Sequence, residues 1–292
     1  MVRPVPPQAL LLGGIASVQF GAALANKLFA QAGPSGVVFL RLVLAAVILS
    51  LIVRPSLRGR TRSDLLAVLA YGLILGLMNW SFYESLARLP LGVAVTIEFT
   101  GPLAVAIAGS RRALDGLWVL LAGGGVVLLA LRGDRSDITA AGVLLALSAG
   151  VCWAAYILVS QRVGRTWAQV DGLAIALWIG TLVVVPAGIA QGGDALLRPS
   201  VIAGGAAVAI LSSILPYSFE LIALRRLRAA TFGLLMSLEP AVAALAGVIV
   251  LGQPLRAITA IAIVMVVVAS VGTTLSTRPA AIPEPELAAG PQ

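Results

Sequence analysis

No histidine occurs in this chain of 292 residues, and there is a single cysteine, Cys152, and a single lysine, Lys27. The first absence removes Ser-His-Asp and Cys-His catalysis, and the second removes a disulfide framework and a zinc cluster. An intramembrane enzyme would be left with Glu, Ser and Tyr chemistry alone. No cofactor or metal is implied. Charge is scarce as well: eleven per cent of residues are charged, sixty per cent are hydrophobic, and the mean hydropathy is +1.03. Long polar stretches are missing, which leaves no room for the soluble domain of a receptor or structural protein. What fills the chain is apolar runs of about 20 residues, the length that crosses a hydrocarbon core of ~30 Å. The expectation is an all-α integral membrane protein.

Reading apolar runs between charged or Gly/Pro breaks predicts ten transmembrane helices, near 9–30, 35–53, 65–87, 91–109, 114–131, 138–161, 170–190, 200–224, 229–251 and 255–276. The N-terminal run also has the outline of a signal peptide, with Arg3 ahead of it and Ala23-Leu24-Ala25 within it. Gln19 interrupts that run and many further spans follow, so it is read as the first span. The Pro-rich tail 277–292 reads as disordered and cytoplasmic.

The net charge of +8 raises nucleic acid as a partner. The cations, however, are scattered over separate loops and form no continuous face, which excludes it. Their placement instead fixes orientation. With both termini in the cytoplasm, thirteen basic residues (Arg3, Arg54 and Arg58 among them) fall inside. Six fall outside, and Arg41 remains within a span. That bias predicts a multi-pass membrane protein with both termini inside.

Two glutamates stand in apolar stretches ahead of prolines: Glu98 in V-A-V-T-I-E-F-T-G-P and Glu239 in L-L-M-S-L-E-P. An acidic side chain at a helix centre costs roughly 2.5–3.5 kcal/mol and usually faces a cavity or a partner. Pro102 cannot donate to the carbonyl of Glu98, so a polar side chain and a freed acceptor fall at one depth. Arg41 is the other exceptional charge. It stays ionised and needs an anion, a carboxylate of the protein or of a ligand, unless it snorkels to the headgroups. The plain structural alternative for Glu98 is an ion pair with Arg41.

The halves resemble each other. Leu86-Ala87-Arg88-Leu89 followed by Pro102 recurs, at an offset of 138, as Leu224-Arg225-Arg226-Leu227 followed by Pro240. Five spans per copy make the copies inverted, at 9–131 and 138–276, an arrangement that points to a transporter whose site lies between the halves. Under this offset the prolines are equivalent and the carboxylates are not: Glu98 aligns with Met236, and Glu239 with Gly101.

The segments P-L-G-V-A-V-T-I-E-F-T-G-P-L-A-V-A (90–106), S-R-R (110–112), C-W-A-A-Y-I-L (152–158), I-L-S-S-I-L-P-Y-S-F-E-L-I-A-L (210–224) and T-F-G-L-L-M-S-L-E-P-A (231–241) carry a resemblance. By them the chain is similar to the drug/metabolite transporter superfamily with two EamA-type five-helix repeats, and within it to bacterial threonine/homoserine exporters. The resemblance implies an inner-membrane exporter of small amino acids driven by the proton gradient. A carrier of another small metabolite or toxic compound differs from this only in its cavity side chains.

A zwitterionic substrate presents a carboxylate and an ammonium. Arg41 or Lys27 can take the first, and Glu98 or Glu239 the second. Asn79 and Tyr217, equivalent under the offset, are candidates for hydrogen bonds to the substrate; Glu220 shares a face with Tyr217. Trp153 and Tyr156 share a helix face and form either a cavity wall or aromatic packing, and Gly72 and Gly76 read as close helix packing. Gln19 and Asn26 share a face and must find partners, since an unsatisfied amide in lipid is costly. Glu84 is expected at the membrane interface. A carboxyl that binds a proton outside and releases it inside couples inward proton flow to outward substrate movement.

Overall fold

The computed structural model describes residues 6–108, 114–132, 138–167, 169–216, 219, 227 and 229–276. Among these, every regular element is a helix: α1 (Pro7–Val53), α2 (Arg62–Leu86), α3 (Leu91–Glu98), α4 (Thr100–Ala108), α5 (Leu114–Arg132), α6 (Ala140–Thr166), α7 (Gln169–Gly192), α8 (Pro199–Ala209), α9 (Ala229–Met236), α10 (Glu239–Leu251) and α11 (Ala257–Ser276). A 3₁₀ turn (Gly193–Leu197) follows α7, and a π turn (Ile210–Ile214) continues α8. Helix starts carry their usual chemistry. Thr61 and Asp64 form a reciprocal capping box on α2, Thr139 accepts from the amide of Gly142 on α6, and prolines open α1 and α8.

Among the described residues, seven helices are long and apolar enough to cross a membrane: Pro7–Val53, Arg62–Leu86, Leu91–Ala108, Ala140–Thr166, Asp171–Leu197, Thr231–Leu251 and Ala257–Leu275. Two shorter apolar helices, Gly116–Leu129 and Pro199–Ile214, fall at the expected spans 114–131 and 200–224, the second starting one residue earlier. The expected spans 9–30 and 35–53 form one helical stretch of 47 residues broken at Gly33, whose φ of 67° and ψ of 161° only glycine adopts readily. Large apolar side chains on the outside, including Leu51, Leu120, Val151 and Leu182, are 70% or more exposed. An exterior of that kind is suited to lipid.

Glycines set the closest approaches. A Cβ on Gly72 would lie 2.5 Å from Ile179, and one on Gly76 2.7 Å from the Cα of Gly180, so α2 and α7 meet nearly backbone to backbone. This is the packing role expected of Gly72-x-x-x-Gly76. At Gly101 the constraint is stricter still. A Cβ there would sit 1.9 Å from the carbonyl oxygen of Gly150, and a Cβ on Gly150 would lie 2.8 Å from that of Glu98. The segment around Glu98 is thereby pressed onto α6 at the depth where Pro102 withdraws a donor.

Candidate functional site

A cavity of about 1170 Å³ runs between the helices, above the roughly 300–1,000 Å³ usual for a small-ligand pocket. Exposed Ile52, Gly164 and Arg165 line it at one end, so it opens there. That is the end where Arg60 donates to the carbonyl of Thr166 and Arg162 donates to Ser63 Oγ at 2.8 Å. Three buried charged residues, Arg41, Glu98 and Glu239, line this one space and are each no more than 8% exposed.

Both glutamates stand beside helix interruptions. A turn at Phe99 separates α3 from α4, and a turn at Ser237–Leu238 separates α9 from α10. These interruptions coincide under the 138-residue offset, as do the prolines that follow them. The carboxylates flank them from opposite sides: Glu98 is the last residue of α3, and Glu239 is the first of α10. A helix start favours an anion through its free amides, and a helix end opposes one through its free carbonyls. The two acidic groups therefore meet different local fields.

Arg41 is held from two helices. Its Nη2 donates to the carbonyl of Ser212 at 2.9 Å, its Nε to Ser213 Oγ at 3.3 Å, and its Nη1 to Tyr83 Oη at 3.2 Å. Its guanidinium carbon also lies 5.4 Å from the centre of the Tyr83 ring. The acceptor at Ser212 is free because Pro216, four residues on, has no N–H to offer it, and the ladder widens there into the π turn. The carbonyl of Leu211, in the same turn, accepts from Ser17 Oγ at 2.7 Å. Sequence reasoning read this proline signal at Pro102 and missed it at Pro216. Arg41 neither snorkels nor pairs with Glu98: it is buried, and no acidic oxygen among the described residues lies within ion-pair distance of it.

The other candidates divide. Gln19, Asn79, Trp153 and Tyr156 line the cavity. Trp153 meets Phe99 edge-on at 5.8 Å, and Tyr156 stacks on Tyr71 with the two hydroxyls 2.9 Å apart, so these aromatics are both wall and packing. Asn79 Nδ2 donates to the carbonyl of Leu75 at 2.8 Å. Asn26 finds its partner in the carbonyl of Leu86, at 2.9 Å. Gln19 Oε1 does not: like Ser212 Oγ it is buried with no hydrogen-bond partner among the described residues. Lys27 is exposed and takes no part in the lining. Tyr217 and Glu220 lie outside the described residues. Glu84, two residues from the end of α2, is 4% exposed in a polar cluster of its own, away from the cavity lining.

A membrane bundle with buried charges around one cavity fits many carriers, and the relatives narrow the choice. Residues 140–275 match the EamA-like transporter family. The threonine/homoserine exporter RhtA of Escherichia coli strain K12 is 48% identical over 273 residues, which are 93% of this chain and 92% of that protein. RhtA of Salmonella typhimurium strain LT2 is 46% identical over the same share of each. The chain belongs to the EamA-like transporter family. A solved crystal structure of another protein shares its fold, with a TM-score of 0.60 at 20% identity over 91% of this chain and 96% of that one. In this EamA-like chain, the cavity and its three buried charges are the candidate transport site.

Proposed function

We propose that this protein exports threonine and homoserine across the bacterial inner membrane by proton antiport with alternating access. The observation that carries the reading is the convergence of Arg41, Glu98 and Glu239 on one cavity, in a chain whose curated relatives are threonine/homoserine exporters. Arg41 takes the substrate carboxylate. Three of its donors are fixed by Ser212, Ser213 and Tyr83, and the planar fork retains further N–H groups for a ligand. Glu239, in the anion-favouring first turn of α10, takes the ammonium. Glu98, at a helix end that opposes an anion, carries the proton. Gln19 and Asn79 contact the substrate from the same walls, and Lys27, outside the cavity, has no part in binding.

The architecture in this reading is ten spans in two inverted repeats, 9–131 and 138–276, with both termini cytoplasmic. Ten follows if the 47-residue stretch broken at Gly33 counts as two spans and the two shorter apolar helices count as spans. The matching interruptions at Phe99 and Ser237–Leu238 support the repeat. The open end of the cavity, at Ile52 and Arg165, then faces the cytoplasm, where substrate is loaded.

Cells overproducing this protein are expected to grow at concentrations of threonine or homoserine that arrest control cells, and to hold a lower internal pool of both. Equal sensitivity and equal pools, with the protein present in the membrane, would reject the substrate assignment.

A further inference from the structure

Glu84 is a buried acidic group that the transport reading does not use. It stands two residues from the end of α2, on the side of the bundle away from the cavity mouth, and both of its carboxylate oxygens are engaged. Ser35 Oγ donates to Oε1 at 2.7 Å, Gln191 Nε2 donates to the same oxygen at 3.1 Å, and Arg88 Nη1 donates to Oε2 at 2.6 Å. The second layer closes the ring. Trp80 Nε1 donates to Ser35 Oγ at 2.9 Å, and the amide of Ser35 donates to Gln191 Oε1 at 2.9 Å. One carboxylate thus ties together α1, α2 and α7.

The cluster is seated on the break in α1. The helix restarts at Pro34, so the amide of Ser35 belongs to a first turn with no carbonyl behind it, and Gln191 supplies the acceptor. Gly33 makes this possible twice over. Its φ of 67° turns the chain, and a Cβ there would lie 2.6 Å from Gln191 Oε1. One step inward along α2, Tyr83 holds Arg41 through its hydroxyl. The cluster and the candidate carboxylate anchor therefore sit on consecutive residues of one helix.

We propose that the Glu84 cluster is the latch that closes the outer end of the transport path, and that Glu84 is a positioning residue for export. The inference rests on the transport reading for its direction. Opening this end between the two halves would part α1 and α2 from α7, and Gln191 bonds across that seam to both Glu84 and Ser35. A seam of hydrogen bonds suits reversible opening. Water replaces each lost partner when the groups are exposed, so the net cost of parting them is small. Separating the same helices across packed leucines would expose apolar surface with no such replacement.

The test reads accessibility, which does not depend on knowing the substrate. In the full chain carrying Cys152→Ala, a cysteine is placed at Ala22, which lines the cavity. Intact cells are then treated with a charged, membrane-impermeant methanethiosulfonate. With the cluster intact, labelling from outside is expected to be slow. With Glu84→Gln, which removes the anion that Arg88 pairs with, it is expected to rise at least fivefold, and Ser35→Ala and Gln191→Ala should give smaller rises. If Glu84→Gln does not reach the membrane, the other two variants carry the test. Rapid labelling with the cluster intact, or rates unchanged in every variant that reaches the membrane, would overturn the proposal. A rise in labelling in a protein that fails to move threonine would leave the latch standing and remove the substrate assignment instead.

Discussion

Arg41→Lys is expected to reduce threonine export by about tenfold to a hundredfold, although the positive charge is kept. Three nitrogens of the guanidinium reach three acceptors at once, on the π turn after α8 and on α2. An ammonium is a compact point charge that cannot span that set and still present a fork to a carboxylate. Losing one charge-assisted hydrogen bond costs roughly 1.5–3 kcal/mol, and each ~1.4 kcal/mol is tenfold in affinity. A structural role for Arg41 predicts a loss of the same size, so the substrate must be varied too. Threoninol lacks the carboxylate. The wild type should prefer threonine to threoninol strongly, and Arg41→Lys should erase most of that preference. If the variant lowers transport of both compounds by the same factor, Arg41 holds helices and does not bind the substrate carboxylate.

Glu98→Gln and Glu239→Gln should fail in different ways. Glutamine keeps the shape and removes the titratable proton. If Glu98 carries the coupling proton, Glu98→Gln loses acceleration of efflux by a proton gradient yet still exchanges labelled for unlabelled threonine across the membrane. If Glu239 binds the ammonium, Glu239→Gln loses both activities, because the substrate no longer binds well from either side. Proteoliposomes loaded with labelled threonine, assayed with and without a pH step, separate the two. The reverse pattern would exchange the assigned roles, and full gradient-driven efflux in both variants would remove both residues from the mechanism.

Much of this was legible in the sequence for one physical reason: charge inside lipid is costly, so Arg41, Glu98 and Glu239 stood out against an apolar background. The structure places all three along one cavity. The break at Gly33 was legible as a gap between two apolar runs. The partner of Arg41 was not. An ion pair with Glu98 was the simplest guess from charge alone, whereas the acceptor is a backbone carbonyl released by Pro216, and backbone acceptors carry no signature of residue type. The same proline logic that was applied at Pro102 would have found it. The burial of Glu84 was not legible, although its place near a helix end was. Its burial depends on Ser35 and Gln191, which lie 49 and 107 residues away along the chain. The dual role of Trp153 and Tyr156, wall and packing together, also depends on neighbours from other helices that no local pattern announces.

In the proposed function this cavity carries a hydroxylated zwitterion outward. Counterflow by the purified wild-type protein in proteoliposomes tests it most directly. With unlabelled threonine or homoserine on the inside, external labelled threonine should accumulate transiently above its equilibrium level. Internal valine, which replaces the hydroxyl with a methyl group, and internal threoninol should support little accumulation. No counterflow with threonine or homoserine, in vesicles where a different solute drives it, would contradict the account.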